Sequence, residues 1–207
     1  MTVMTRCVAN ILWKPWVDSP QRPDIAALMV PMGEGDLCLI PMTANHREGL
    51  RACCDADPDI WDIYPVNMGG AAFDSAFDAF LANPARHIFA VLLGGQVVGM
   101  TSYLNLALER QALEIGGTFM APHVRGTGLN ARVKRLMLAR AFGEGIRRVQ
   151  FLIDERNKRS QAAVLKLGAT KEGVLRAERI TWTGHVRDTG VFGLLRDEWE
   201  QGMPARV

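Results

Sequence analysis

The chain lacks several features that would fix its class at once. No apolar run approaches the roughly 18 residues that span a membrane. The N-terminus is broken by Arg6, Asn10, Lys14, Pro15 and Asp18, so it has no clean signal-peptide core. A cytoplasmic protein is expected. Cysteine is scarce: Cys7, Cys38, Cys53 and Cys54 show no metal-ligand spacing, and two of them are adjacent. Reduced thiols are the expectation, and no metal. There is no internal repeat. Net charge is only +2, and the one basic stretch has no interleaved aromatics, so a nucleic-acid partner is not expected.

What is present is the composition of an ordinary globular domain, 48% apolar and 22% charged over 207 residues. Residues 1–33 show no sustained period and carry Trp13, Pro15, Trp16, Pro20 and Pro23. They read as an irregular extension, with a single domain over 34–207. Asp36 to Pro41 reads as a strand. Thr43 can cap a helix with His46, Leu50 and Cys54 on one face, and Asp57 or Asp59 can cap a short helix through Ile63. Ala71 to Leu81 is amphipathic through Phe73, Phe77 and Phe80. Strands follow at His87–Leu93, Gln96–Asn105 and Leu113–Met120, the first two joined by Gly94-Gly95. A helix over Leu129–Phe142 buries Leu129, Val133, Leu136, Met137 and Ala141, with Asn130, Arg132, Lys134 and Arg135 elsewhere on its surface. A short buried strand at Val149–Ile153 is parallel by inference, because a helix crosses over before it. A helix from Asn157 to Gly168 and a hairpin around Thr183-Gly184 complete the α/β order.

The most telling segment is the turn Arg125-Gly126-Thr127-Gly128-Leu129-Asn130. Two glycines let backbone approach a ligand closely. The following helix presents unpaired N–H groups to an anion. Between Ala121 and Ser160 ten Lys/Arg face three acids, a surplus of seven. Upstream, Asp55, Asp57, Asp59 and Asp62 cluster with nothing basic between them. The first region suits a phosphorylated ligand, and the second could attract a cation.

The element order and this turn resemble the GNAT superfamily of acetyl-CoA-dependent N-acetyltransferases, and within it the RimJ/RimL-type branch. The family turn reads Gln/Arg-x-x-Gly-x-Gly/Ala, and Asn130 departs from it at the last position. A second register, from His123 to Gly128, also exists. The Arg125 register places the last motif residue in the helix's first turn. Further matches are Asn157, Ser160, Lys166-Leu167-Gly168, Glu172-Gly173, Arg176, Arg187-Asp188 and Glu198-Trp199. The resemblance implies a mostly antiparallel, twisted mixed sheet with helices on both faces and a splayed parallel strand pair.

It implies acetyl-CoA as cosubstrate, with backbone N–H groups from Gly126 to Asn130 on the pyrophosphate. The strand near Thr118 and Met120 would pair with the pantetheine amides, and Asn157 would reach the cofactor between the splayed strands. The acceptor would be a small-molecule or peptide amine; a homodimer would be usual. Since an amine of pKa near 10 is only about 0.1% neutral at pH 7, a base is needed, and Glu114 is the candidate. The superfamily's acid, a Tyr seven residues after Asn157, is replaced by Val164, which leaves Ser160 or Ser102. An acetyl-CoA-binding module without turnover is the alternative.

Overall fold

A computed structural model describes residues 23–202. One eight-stranded sheet organises them, in the order β1-β2-β3-β4-β5-β6-β8-β7. The strands are β1 (Met32–Glu34), β2 (Leu37–Pro41), β3 (Arg86–Leu93), β4 (Gln96–Ala107), β5 (Ala112–Met120), β6 (Arg148–Asp154), β7 (Thr170–Ile180) and β8 (Val186–Leu195). Every neighbouring pair is antiparallel except β5 and β6. The mixed, mostly antiparallel sheet expected from the sequence is therefore present.

The expected boundary at residue 33 falls inside β1. Asp24 caps the short helix α1 (Ile25–Leu28), Leu28 and Met32 are buried, and Met32 pairs with Leu39. Residues 23–33 thus belong to the packed body. Short local periods hid this, because one helical turn and three strand residues are too brief to show periodicity. The rest of the extension lies outside the described residues.

Two layers of helix enclose the sheet. Helix α4 (Leu129–Gly143) covers the face carrying Thr101 and Tyr103: Tyr103 donates to the Met137 carbonyl at 2.7 Å. Successive residues of a strand point to opposite faces. Met100 accordingly lies on the other face, with Phe77 of α3 (Phe73–Ala82) and Leu50 of α2 (Arg47–Asp55) around it. The segment Pro58–Ile63 forms a 3-10 turn, and its Trp61 stacks on Phe119 with ring centroids 4.9 Å apart.

The sheet is open at its centre. β5 and β6 pair in parallel only where Ala112–Glu114 meet Arg148–Gln150. Beyond that, β5 stays with β4 as far as Met120, and β6 stays with β8 as far as Asp154. Strands held by different partners diverge, and the facing backbone groups of the fork are left without a ladder. Such an internal edge can accept an extended ligand as an added strand. Helix α5 (Lys158–Leu165) starts just past β6, and α6 (Arg196–Gly202) follows β8.

Candidate active site

At the mouth of the fork, the sequence's glycine-rich turn folds as its composition requires. Gly126 and Gly128 have φ of +81° and +84°, a region that costs other residues strain. A Cβ at either would meet nothing within 4 Å, so the backbone faces open space. Thr127 Oγ1 donates to the Val124 carbonyl at 2.8 Å and accepts weakly from Leu129 N–H at 3.4 Å. The N–H groups of Gly126, Thr127, Gly128 and Asn130 find no acceptor among the described residues. They stand at the positive end of the 15-residue helix α4. Asn130 sits in its first turn, with Oδ1 buried and unpartnered.

Deeper in the fork, β5 carries a bulge. The register with β4 shifts between Met100–Phe119 and Ser102–Gly116, and Gly117 takes φ +56°. Glu114 lies one turn of pleat below, buried, with Oε2 accepting from Asn105 Nδ2 at 2.7 Å. Burial raises its pKa above the ordinary carboxylate value, against the opposing pull of Asn105, Arg179, Arg187 and Arg86. A carboxylate whose pKa is raised is a stronger proton acceptor than an ordinary one. An anion cradle, an open internal edge and a poised carboxyl along one strand and its turn are what transfer from a phosphorylated thioester requires.

Comparison with known proteins decides the family. The family model described as "Acetyltransferase (GNAT) domain" matches residues 36–170. The chain belongs to the GNAT acetyltransferases. Among solved structures it is similar to one described as a probable acetyltransferase of the GNAT family from Chromobacterium violaceum ATCC 12472. That match has TM-score 0.81 and 27% identity over 90% of this chain and 96% of the other. A GCN5-related N-acetyltransferase from Brucella melitensis shares the fold at TM-score 0.76 and 22% identity, covering 87% and 83%. Mycobacterium smegmatis RimJ in complex with CoA-disulfide shares it at 0.73 and 18%, covering 86% and 91%. A search of curated proteins found no match. The GNAT domain is an acyltransferase, and the family's donor is acetyl-CoA.

Within this GNAT fork, several sequence-assigned residues already have internal partners. The Thr118 carbonyl accepts from Tyr64 Oη at 2.8 Å, and the Met120 carbonyl accepts from Arg125 Nε at 2.8 Å. Each keeps a second lone pair for a ligand. The Arg125 guanidinium also pairs with Asp57. Arg125 thereby fastens the glycine-rich turn to the Pro58–Ile63 segment. Asp57 stands at the start of that segment but caps nothing. Asp55 accepts from Gly70 N–H at 3.2 Å. Half of the acidic cluster is thus occupied in fixing loops, and Asp59 and Asp62 remain exposed. Asn157 caps α5 by accepting from Ser160 N–H at 3.0 Å. Val164, where a Tyr is usual, is buried. Ser102 Oγ is buried without a partner on the bulge's other side.

Lys134 corrects the sequence reading. It is buried, with Nζ donating to Thr118 Oγ1 at 2.5 Å and lying 3.5 Å from Thr101 Oγ1. Its ammonium stands 5.9 Å from the Phe151 ring of β6. Lys134 therefore lies under the fork, between its two arms. Burial pulls its pKa down to about 7, with Glu114 pulling the other way. Sequence reasoning also missed Tyr64, Trp61 and Arg86. Only the Gly116-Gly117 pair inside a strand pattern could have signalled the bulge.

Proposed function

We propose that this GNAT domain acetylates a primary amine, the α-amine of a protein N-terminus or a small amine, by direct attack in a ternary complex with acetyl-CoA. One observation carries the reading: four free N–H groups of the turn, the unpaired edge of β5 and the buried Glu114 follow one another along the fork. The Gly126–Asn130 backbone holds the pyrophosphate, and the β5 edge at Thr118 and Met120 takes the pantetheine. Glu114 accepts a proton from the amine, directly or through water. The neutral nitrogen then bonds to the acetyl carbonyl carbon, the carbon–sulfur bond breaks, and the nitrogen gives up its surplus proton as the amide forms. The leaving thiolate takes up one proton from Ser160 in the first turn of α5, whose hydroxyl is restored by the proton released from nitrogen. Products are the N-acetyl amine and free coenzyme A.

The RimJ/RimL-type branch is the proposed subtype, on the ordered motifs from Asn157 to Trp199 and the fold shared with RimJ. The cytoplasm is the proposed site of action: the buried Cys53 and Cys54 are free thiols. Among the described residues no helix is long and apolar enough to cross a membrane. Thiol release from acetyl-CoA, followed over a panel of amines with mass detection of the product, tests the reading. Binding of acetyl-CoA with no thiol release on any amine would contradict it.

A further inference from the structure

Arg86 opens β3 and stands in one row with Leu104 of β4 and Glu114 of β5. Residues in such a row share a face of the sheet, so Arg86 and Glu114 reach toward each other over Leu104. They converge on the β5 bulge. Glu114 Oε1 lies 2.7 Å from where a Cβ on Gly116 would be, and Arg86 Nη2 occupies the place of a Cβ on Gly117. Glycine at both positions is thus explained by what lies against it, on the face opposite α4.

The guanidinium is short of partners. Its Cζ lies 3.8 Å from the centroid of the Phe80 ring, and its Nε is buried with no acceptor among the described residues. Among the described residues Glu114 is the one carboxylate whose charge reaches it, and the two make no ion pair. Burial lowers its pKa to about 10, which leaves it charged at neutral pH. Ser102 Oγ, 3.4 Å from the same Gly117 Cβ position, is a second buried polar group without a partner. Arg86 is half-buried; a guanidinium offers five donors in a planar fork, and shielding one from water without a counter-charge is costly. Phosphates do not reach it: the anion cradle begins at Gly126, nine residues past Gly117 and at the helix on the other face. Pantetheine is uncharged. The missing anion therefore comes with the acceptor.

We propose that Arg86 binds a carboxylate of the acceptor, so that the amine acetylated at Glu114 belongs to an amino acid or a similarly compact amino-carboxylate. The separation supports a compact acceptor, since the two groups flank adjacent residues whose Cα atoms are about 3.8 Å apart. Ser102 is placed to donate to the same carboxylate. The reaction keeps its balance: the amine gains the acetyl group and loses one proton, coenzyme A gains one, and the carboxylate is unchanged. This inference rests on the acetyltransferase reading and narrows its acceptor.

The test compares free amino acids with their amides, which differ only in the anionic group. Neutral-side-chain peptides and spermidine serve as further acceptors, and wild type is measured beside Arg86→Gln and Arg86→Lys. The free acids should exceed their amides by about 10-fold to 100-fold in kcat/KM, the range of one charged hydrogen-bonded contact. Arg86→Gln should erase that preference through KM, so that acids and amides react alike, and Arg86→Lys should restore part of it. Amides equal to or better than acids in wild type would overturn the inference, even if Arg86→Gln fails to fold. So would a kcat loss of the same size on every acceptor, which would make Arg86 an oxyanion donor. If peptides or spermidine react while amino acids do not, the acetyltransferase reading stands and this inference falls. If acetyl-CoA binds and nothing reacts, both fall.

Discussion

Lys134 Nζ donates to Thr118 Oγ1 at 2.5 Å, joining the second turn of α4 to β5 below the fork. Thr118 Oγ1 and Thr101 Oγ1 stand 2.8 Å apart, and Thr101 donates on to Met137 Sδ at 3.3 Å. The Thr118 carbonyl, meanwhile, accepts from Tyr64. One residue of β5 is therefore held by α4, by β4 and by the Pro58–Ile63 side, at the point where β5 has left β6. The fork's geometry depends on this node.

The buried Lys134 has a stability signature. Its folded pKa, about 7, lies below the unfolded value of 10.5. Below pH 7 both states are protonated, and the full penalty of burying the charge applies. Between about pH 7 and 10.5 the folded state has released its proton while the unfolded state holds it, so stability rises with pH. Each unit of displacement is worth about 1.4 kcal/mol. Lys134→Met should remove this slope and raise Tm at pH 7. Thermal unfolding at several pH values checks it; parallel slopes in wild type and variant would contradict it.

Glu114 gives a kinetic signature of the opposite kind. Its pKa is raised by burial, and a base works only when deprotonated. The acid limb of the wild-type kcat/KM profile should fall above the ordinary carboxylate range near 4.3. Glu114→Gln should lower kcat by about 10²-fold to 10⁴-fold and flatten that limb. A pH–rate series on both proteins reads it, and an unchanged limb in the variant would exclude Glu114 as the base.

Asn130 should show two effects of opposite sign. Its Oδ1 is buried and unpartnered in the free protein; such an acceptor costs about 1–3 kcal/mol. Asn130→Ala should leave the free protein as stable or more so. If the cofactor supplies the missing donor, the same change weakens acetyl-CoA binding by up to about tenfold. Thermal melts and isothermal titration separate the two. Unchanged affinity would assign recognition to the backbone N–H groups alone.

The Arg125–Asp57 pair is half-buried on both sides. Asp57→Asn should cost about 1 kcal/mol and loosen the turn from the Pro58–Ile63 segment. A double-mutant cycle with Arg125→Gln should show non-additivity, since both variants break one contact. Additive losses would mean that the two residues act separately.

The motifs that revealed the family turn out to be largely architectural. Glu172 forms a bidentate pair with Arg148 at 2.6 and 2.5 Å. Glu198 accepts from Leu195 N–H at 2.9 Å, just ahead of α6. Trp199 lies against Phe142, and Asp188 holds a kink of β7 by accepting from Ala177 N–H. Because such residues fix strand ends and helix caps at set spacings, they were legible in the sequence and so was the fold. The turn at Gly126–Asn130 was legible for the same reason, being local.

Long-range polar contacts were not. Lys134 looked like a surface residue because charge usually marks solvent. Nothing local says that Thr118 and Thr101, 16 and 33 residues away, offer it hydroxyls. Arg86 and Glu114 are 28 residues apart and meet only through the register of three strands. Arg125 read as a cofactor ligand, yet its partner Asp57 lies 68 residues upstream.

A crystal structure of the protein with coenzyme A tests the central claim most directly. The account predicts the pyrophosphate on the N–H groups of Gly126, Thr127, Gly128 and Asn130, with pantetheine along β5 in the fork. The thiol would point to the bulge at Gly116-Gly117, beside Glu114. Coenzyme A bound outside the fork, or with its thiol remote from Glu114, would contradict it.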